Sequence, residues 1–107
     1  MRYTIIALLI LPFIGCSDEE PLPTCIDMIL DDFKIDACDG GDLTTWRFRG
    51  DLVYCFNFGA CQPDKSIEIY DENCNLICNL AGSTQETICD GISWPDNAFF
   101  LSEIYRK

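Results

Sequence analysis

The sequence has no histidine, few basic residues and no apolar run long enough to cross a bilayer. Each shortage removes a class of function. Without histidine there is no Ser-His or Cys-His pair for nucleophilic catalysis, and no imidazole to ligate zinc. Seven lysines and arginines stand against eighteen aspartates and glutamates in 107 residues, a net charge of −11. Phosphate binding requires clustered Lys and Arg, so nucleic acid and anionic headgroups are poor partners. The longest apolar run, Ile5 to Ile14, is shorter than the ~20 residues that span a membrane. Internal repeats and low-complexity tracts are missing too. Paired carboxylates remain available for glycoside hydrolysis. Nothing singles out one pair among eighteen acids, however, and no catalytic motif is present, so an enzyme is not expected.

What the chain does contain begins with an address. Arg2, the apolar run and the small Gly15 have the layout of a cleavable signal peptide over residues 1–15. Phe13-Ile14-Gly15-Cys16 resembles a bacterial lipobox, with Phe13 in place of the usual leucine. The resemblance implies cleavage before Cys16 and acylation of that cysteine by palmitate-type chains. Ser17, Asp18, Glu19 and Glu20 are similar to the acidic export signal of Bacteroidota lipoproteins, which implies an outer-membrane, cell-surface location. Residues 16–23 then form an acidic, proline-bearing tether, and residues 24–107 a single domain. Removing residues 1–15 leaves six basic side chains against the same eighteen acids, a charge of −12. The membrane hold must therefore come from the lipid, at about 0.8 kcal/mol per buried CH₂.

Seven cysteines remain after Cys16: Cys25, Cys38, Cys55, Cys61, Cys74, Cys78 and Cys89. An odd number permits at most three bridges within one molecule and leaves one thiol, and the sequence does not fix the pairing. A small exported domain with a modest core commonly relies on such bridges.

Thr24 and Asp27 have the spacing of a capping box. Ile26, Ile29, Leu30 and Phe33 then recur as one helical face, which predicts an amphipathic helix from about Cys25 to Lys34. The Asp36–Asp42 stretch, DACDGGD, breaks it. Trp46 and Phe48 alternate with Arg47 and Arg49, and Leu52, Tyr54, Phe56 and Phe58 alternate after a Gly50-Asp51 turn, which predicts a hairpin. Ser66–Tyr70 and Leu76–Leu80 read as further strands, followed by a polar loop and the turn-rich CDGISWPDN. Ala98–Tyr105 favours a last strand through its Phe, Ile and Tyr content, with a helix as the alternative. The expected fold is α+β: an N-terminal amphipathic helix packed on a small antiparallel sheet of four to five strands, stabilised by disulfides.

The segments Trp46–Tyr54, Cys61-Gln62-Pro63-Asp64, Ile69–Cys78 and Cys89 resemble a family of small Bacteroidota surface lipoproteins whose cysteine-rich domain has no assigned activity. The similarity spans roughly residues 25–107, with YDENCNLIC as its most specific part. It implies a secreted, disulfide-bonded module. Cys38 and Cys55 fall outside that cysteine set, which makes them candidates for an additional bridge.

Asp71, Asn73 and Asn75 have the first half of a calcium-loop spacing, but Leu76 and Gly82 stand where an EF-hand needs Gly and a carboxylate. A hydrogen-bonded turn is the simpler reading. Asp36, Asp39 and Asp42 could hold a cation, but a solvated loop is favoured. Cys74-x-x-x-Cys78 without histidine points to disulfides rather than zinc. Trp94-Pro95-Asp96 matches the acid loop of tyrosine phosphatases, yet no cysteine has an arginine six residues on. The sequence therefore predicts a non-catalytic binding module without metal or cofactor, or alternatively a structural envelope component. Its charge predicts that any protein partner is cationic, with Asp36, Asp39, Asp42 and Trp94 as candidate contacts.

Overall fold

The Ile26–Phe33 stripe does form a helix. Thr24–Asp36 is α1 in the computed structural model, which describes residues 22–61, 66–80 and 87–107. Ile26, Leu30 and Phe33 are buried. The signal peptide, Cys16 and the Ser17–Glu20 export signal lie outside the described residues. The start of α1 differs from the capping-box reading. Pro23 occupies the N-cap, no side chain caps the helix, and the Asp27 N–H bonds to the Pro23 carbonyl at 3.0 Å. Thr24 is thus already inside the first turn, after a proline that has no N–H to leave unpaired. At the other end the Lys107 ammonium donates to the carbonyls of Lys34 (2.8 Å) and Ala37 (2.7 Å). A cation there satisfies acceptors that the helix leaves open and faces the negative end of its dipole.

α1 lies on a five-stranded antiparallel sheet, ordered β4-β3-β2-β1-β7. Its strands are β1 (Asp42–Phe48), β2 (Asp51–Asn57), β3 (Ile67–Tyr70), β4 (Leu76–Leu80) and β7 (Ala98–Arg106). A separate two-stranded ribbon, β5 (Ile88–Cys89) and β6 (Ile92–Ser93), leads into a single helical turn, α2 (Trp94–Asn97). The architecture is therefore the expected α+β fold, and the Ala98–Arg106 tail is a strand, paired with β1.

The β1–β2 turn sits one residue earlier than Gly50-Asp51. Phe48 pairs with Asp51, so Arg49 and Gly50 form the two-residue loop, with φ of 55° and 85°. Positive φ at both loop residues is what matches the twist of a tight hairpin. Arg49 is an unusual occupant; its guanidinium packs 4.8 Å over the Phe48 ring and bonds Asp90 at 3.0 Å.

Alternation alone assigns Tyr54 and Phe56 to the core, but Val53 and Cys55 between them are buried as well. Both faces of the sheet are covered around its central strand. One cluster joins Ile26, Leu30 and Phe33 to Leu43, Tyr54, Phe56 and Phe58 beneath α1. A second joins Phe48, Val53, Cys55, Ile69, Leu80 and Cys89 on the opposite face. Three bridges fasten these layers. Cys25–Cys74 ties α1 to the β3–β4 turn, Cys38–Cys61 ties the loop after α1 to the end of β2, and Cys78–Cys89 ties β4 to β5. Among the described residues Cys55 is the one free thiol, buried on β2. The additional Cys38–Cys55 bridge therefore does not form, because Cys38 bonds Cys61 while Cys55 points into the second cluster. Three disulfides in so small a domain indicate an oxidising, extracytoplasmic compartment.

Candidate functional site

The face of the sheet away from α1 is only partly roofed. The β5–β6 ribbon is held over it by the Cys78–Cys89 bridge and by the Arg49–Asp90 ion pair. From α2, Trp94 packs on Phe48 (centroids 4.9 Å) and on Trp46 (5.4 Å). Beyond Trp94 the face lies open as a cleft of about 360 Å³. Its apolar part is made by Trp46, Trp94 and Phe100 together with Ile67, Ile69 and Leu80. At its polar end stand Asp42, Thr44, Asn57, Glu103 and Arg106.

The register of the sheet explains this convergence. Phe100 pairs with Trp46, and Glu103 with Thr44. Between them lies one of two register shifts in the β1–β7 ladder, and such irregularities re-aim side chains along an edge strand. The Phe100 ring meets Trp46 edge-on at 5.5 Å, and the Trp46 indole N–H donates to Thr44 Oγ1 at 2.9 Å. Three rings thus meet along one wall of the cleft.

Arg106 organises the polar end. It donates to Asp42 Oδ2 at 3.1 Å and, through Nε and Nη2, to Glu103 Oε1 at 3.0 and 2.6 Å. Burial raises the Asp42 pKa by more than the neighbouring guanidinium lowers it, and the Glu103 charge adds to the rise. The hydrogen bond that Arg106 donates to Glu103 is the main cause that raises the Arg106 pKa. Cys55 lies at the floor, its thiol pushed up to about 12 mainly by burial, with the Thr44 hydrogen bond acting the other way. So protonated a thiol is not a nucleophile at neutral pH.

The structure divides the four candidate contacts. Asp42 and Trp94 line the same cleft. Asp36 instead borders a hollow on the helix side, with Phe33, Phe56 and Tyr70, and Asp39 is exposed in the loop after α1. That loop meets basic groups of its own chain. Arg106 pairs with Asp42, and the Lys107 backbone bonds Gly40 and Gly41. Asp71 serves as a turn organiser. Its Oδ1 accepts the N–H groups of Asn73 (2.8 Å) and Asn75 (2.9 Å), and the backbone bond from Asn75 is the main cause that lowers its pKa. Among the described residues no group of three or more His, Cys, Asp or Glu side chains is arranged to hold a metal.

Trp46, Phe100, Glu103 and Arg106 were not candidates from sequence. Their strand pattern was visible, but not the adjacency of β7 to β1 that joins them. No family model, curated protein or solved structure matches the chain. Its function must be argued from these surfaces.

Proposed function

We propose that this chain is an exported, lipid-anchored, non-catalytic binding module of the small Bacteroidota lipoprotein type, with the cleft beside Trp94 as its ligand site. The observation that carries the reading is the convergence of an aromatic surface and a charged end in one open cleft. Pockets with mostly apolar walls and a few placed polar groups are the usual form of ligand sites. Asp42 and Glu103 share a single guanidinium, which favours positioning over proton transfer. Cys16 supplies the anchor; a Cys16→Ser chain should accumulate as uncleaved precursor, and its normal processing would refute the anchor. The site is tested by thermal-shift screening of the soluble domain against oligosaccharides, basic peptides and apolar small molecules. At least one class should stabilise the wild-type domain and fail to stabilise a Phe100→Ala, Arg106→Ala double variant. Stabilisation of neither, or of both equally, leaves the structural-component reading.

A second surface favours a cationic protein partner. The outer side of α1 exposes Asp27, Asp31, Asp32 and Asp36, flanking the exposed apolar side chains of Met28 and Ile35. Such a surface steers basic proteins at low salt. On this reading, retention of a basic protein should fall in parallel with added salt and with Asp31→Asn and Asp32→Asn changes. Retention that survives both would remove it.

A further inference from the structure

We infer that the cleft binds a neutral, hydroxyl-rich sugar chain, with a pyranose ring packed against the Trp46–Trp94–Phe100 wall and hydroxyls held by Asp42, Glu103 and Arg106. This deepens the ligand-site reading above and rests on it.

Three features of the geometry select the ligand. The first is the spacing of the rings. A cage for a quaternary ammonium group needs aromatic faces parted by the width of the cation. Here Trp46 lies 5.4 Å from Trp94 and 5.5 Å from Phe100, so it touches both and leaves no cation-sized gap on either side. The rings are inclined at 55° and 82° to Trp46, so they form an angled aromatic wall, and an exposed ring face in such a wall suits a ligand with an apolar face of its own. A pyranose ring presents such a face through its axial C–H bonds.

The second feature is the alternation of hydrogen-bonding character. Asp42 and Glu103 only accept, whereas Arg106 only donates, and the ion pairs place them side by side. Each sugar hydroxyl both donates and accepts, so neighbouring hydroxyls on one ring can satisfy a carboxylate and a guanidinium together. An apolar ligand would leave the remaining hydrogen-bonding capacity of this end unused, and an amine would use only its acceptors.

The third feature is charge. Two carboxylates face one guanidinium, so the polar end is net negative and the whole chain carries −11. An acidic sugar would meet repulsion on approach and in the cleft. The volume, about 360 Å³, lies at the small end of ligand pockets and suits a short run of a longer chain entering through the open side. Cys55 takes no part beyond forming the floor, since its buried thiol stays protonated.

The protein carries its own reporter. It contains two tryptophans, and both line the cleft, so indole emission reads this site directly. The soluble domain should be titrated with maltohexaose, cellohexaose, xylohexaose and mannohexaose, with oligogalacturonate as the acidic arm and octa-lysine as the cationic arm. At least one neutral hexaose should change the emission, and oligogalacturonate should not. Phe100→Ala and Arg106→Gln, both at half-exposed side chains, should each weaken that binding about tenfold, the loss expected for one aromatic or charged hydrogen-bonding contact. Ile35→Ala, on the outer side of α1, should leave it unchanged. The inference is overturned if no neutral hexaose acts, if oligogalacturonate acts equally well, or if neither cleft variant weakens binding. Should octa-lysine alone act, and lose its effect in Phe100→Ala, the cleft remains a ligand site and only the sugar is wrong. If no arm acts, the sugar is wrong, and the ligand-site reading falls with it when the apolar small molecules also fail to stabilise the domain.

Discussion

At Gly41 a single methyl group has no room. A Cβ there would lie 2.9 Å from the Asn57 carbonyl oxygen and 3.0 Å from that of Phe58, both backbone atoms that cannot swing away. Gly41→Ala should therefore destabilise the fold by about 1–3 kcal/mol, read as a lower urea midpoint with unchanged slope. An unchanged midpoint would mean that the β2 end yields more easily than its position implies. In the sequence, Gly40-Gly41 is legible as a helix breaker. The specific demand at Gly41 is not, because its neighbours lie sixteen and seventeen residues further along. Cys55 gives a second residue-scale prediction. Its thiol rises from an ordinary 9.0 to about 12 chiefly through burial, and the Tyr70 hydroxyl from 10.0 to about 12 through burial and then its bond to Glu68. Above pH 9 the unfolded chain releases these protons while the folded chain keeps them. Stability should thus fall as pH rises from 9 towards 12. Cys55→Ala should flatten that fall between about pH 9 and 10.5, where Tyr70 contributes least. An equal decline in both proteins would contradict the burial argument.

Among the elements, α1 and the hairpin follow directly from spacing. Ile26, Leu30 and Phe33 recur as a helical face and are buried as one. The turn shift from Gly50-Asp51 to Arg49-Gly50 is less legible, because Arg49 at positive φ has no favourable local propensity. What supports it there, the Phe48 ring and Asp90, includes a partner forty-one residues away. The end of α1 likewise depends on a distant residue. The Lys107 ammonium closes the helix at the Lys34 and Ala37 carbonyls, where a cation also meets the helix dipole. Lys107→Met retains the stem and removes the charge, and should cost about 1–2 kcal/mol, with faster amide exchange confined to the last turn of α1. Exchange that is unchanged there, or raised evenly over the domain, would argue against a capping role.

On the scale of the whole molecule, the cysteine count indicated an exported, cross-linked domain and the helix and strand spacings an α+β fold, and the three disulfides and the sheet agree with both. The cleft was barely legible. Its walls come from β1, β2, β3, β4, α2 and β7, and only Asp42 and Trp94 stood out beforehand. Sheet order brings them together, and order depends on which strand the tail chooses after β6. The two proposed surfaces lie on opposite sides of the sheet, so one measurement separates them. In the ¹H–¹⁵N spectrum of the labelled soluble domain, the Trp46 and Trp94 indole signals report the cleft, and the Asp27, Met28 and Asp31 amides report the outer side of α1. On titration with the neutral hexaoses, both indole signals should move while the α1 amides stay in place. Indole signals that remain fixed for every hexaose, with or without movement of the α1 amides, would contradict the assignment of the cleft as the binding site for this ligand.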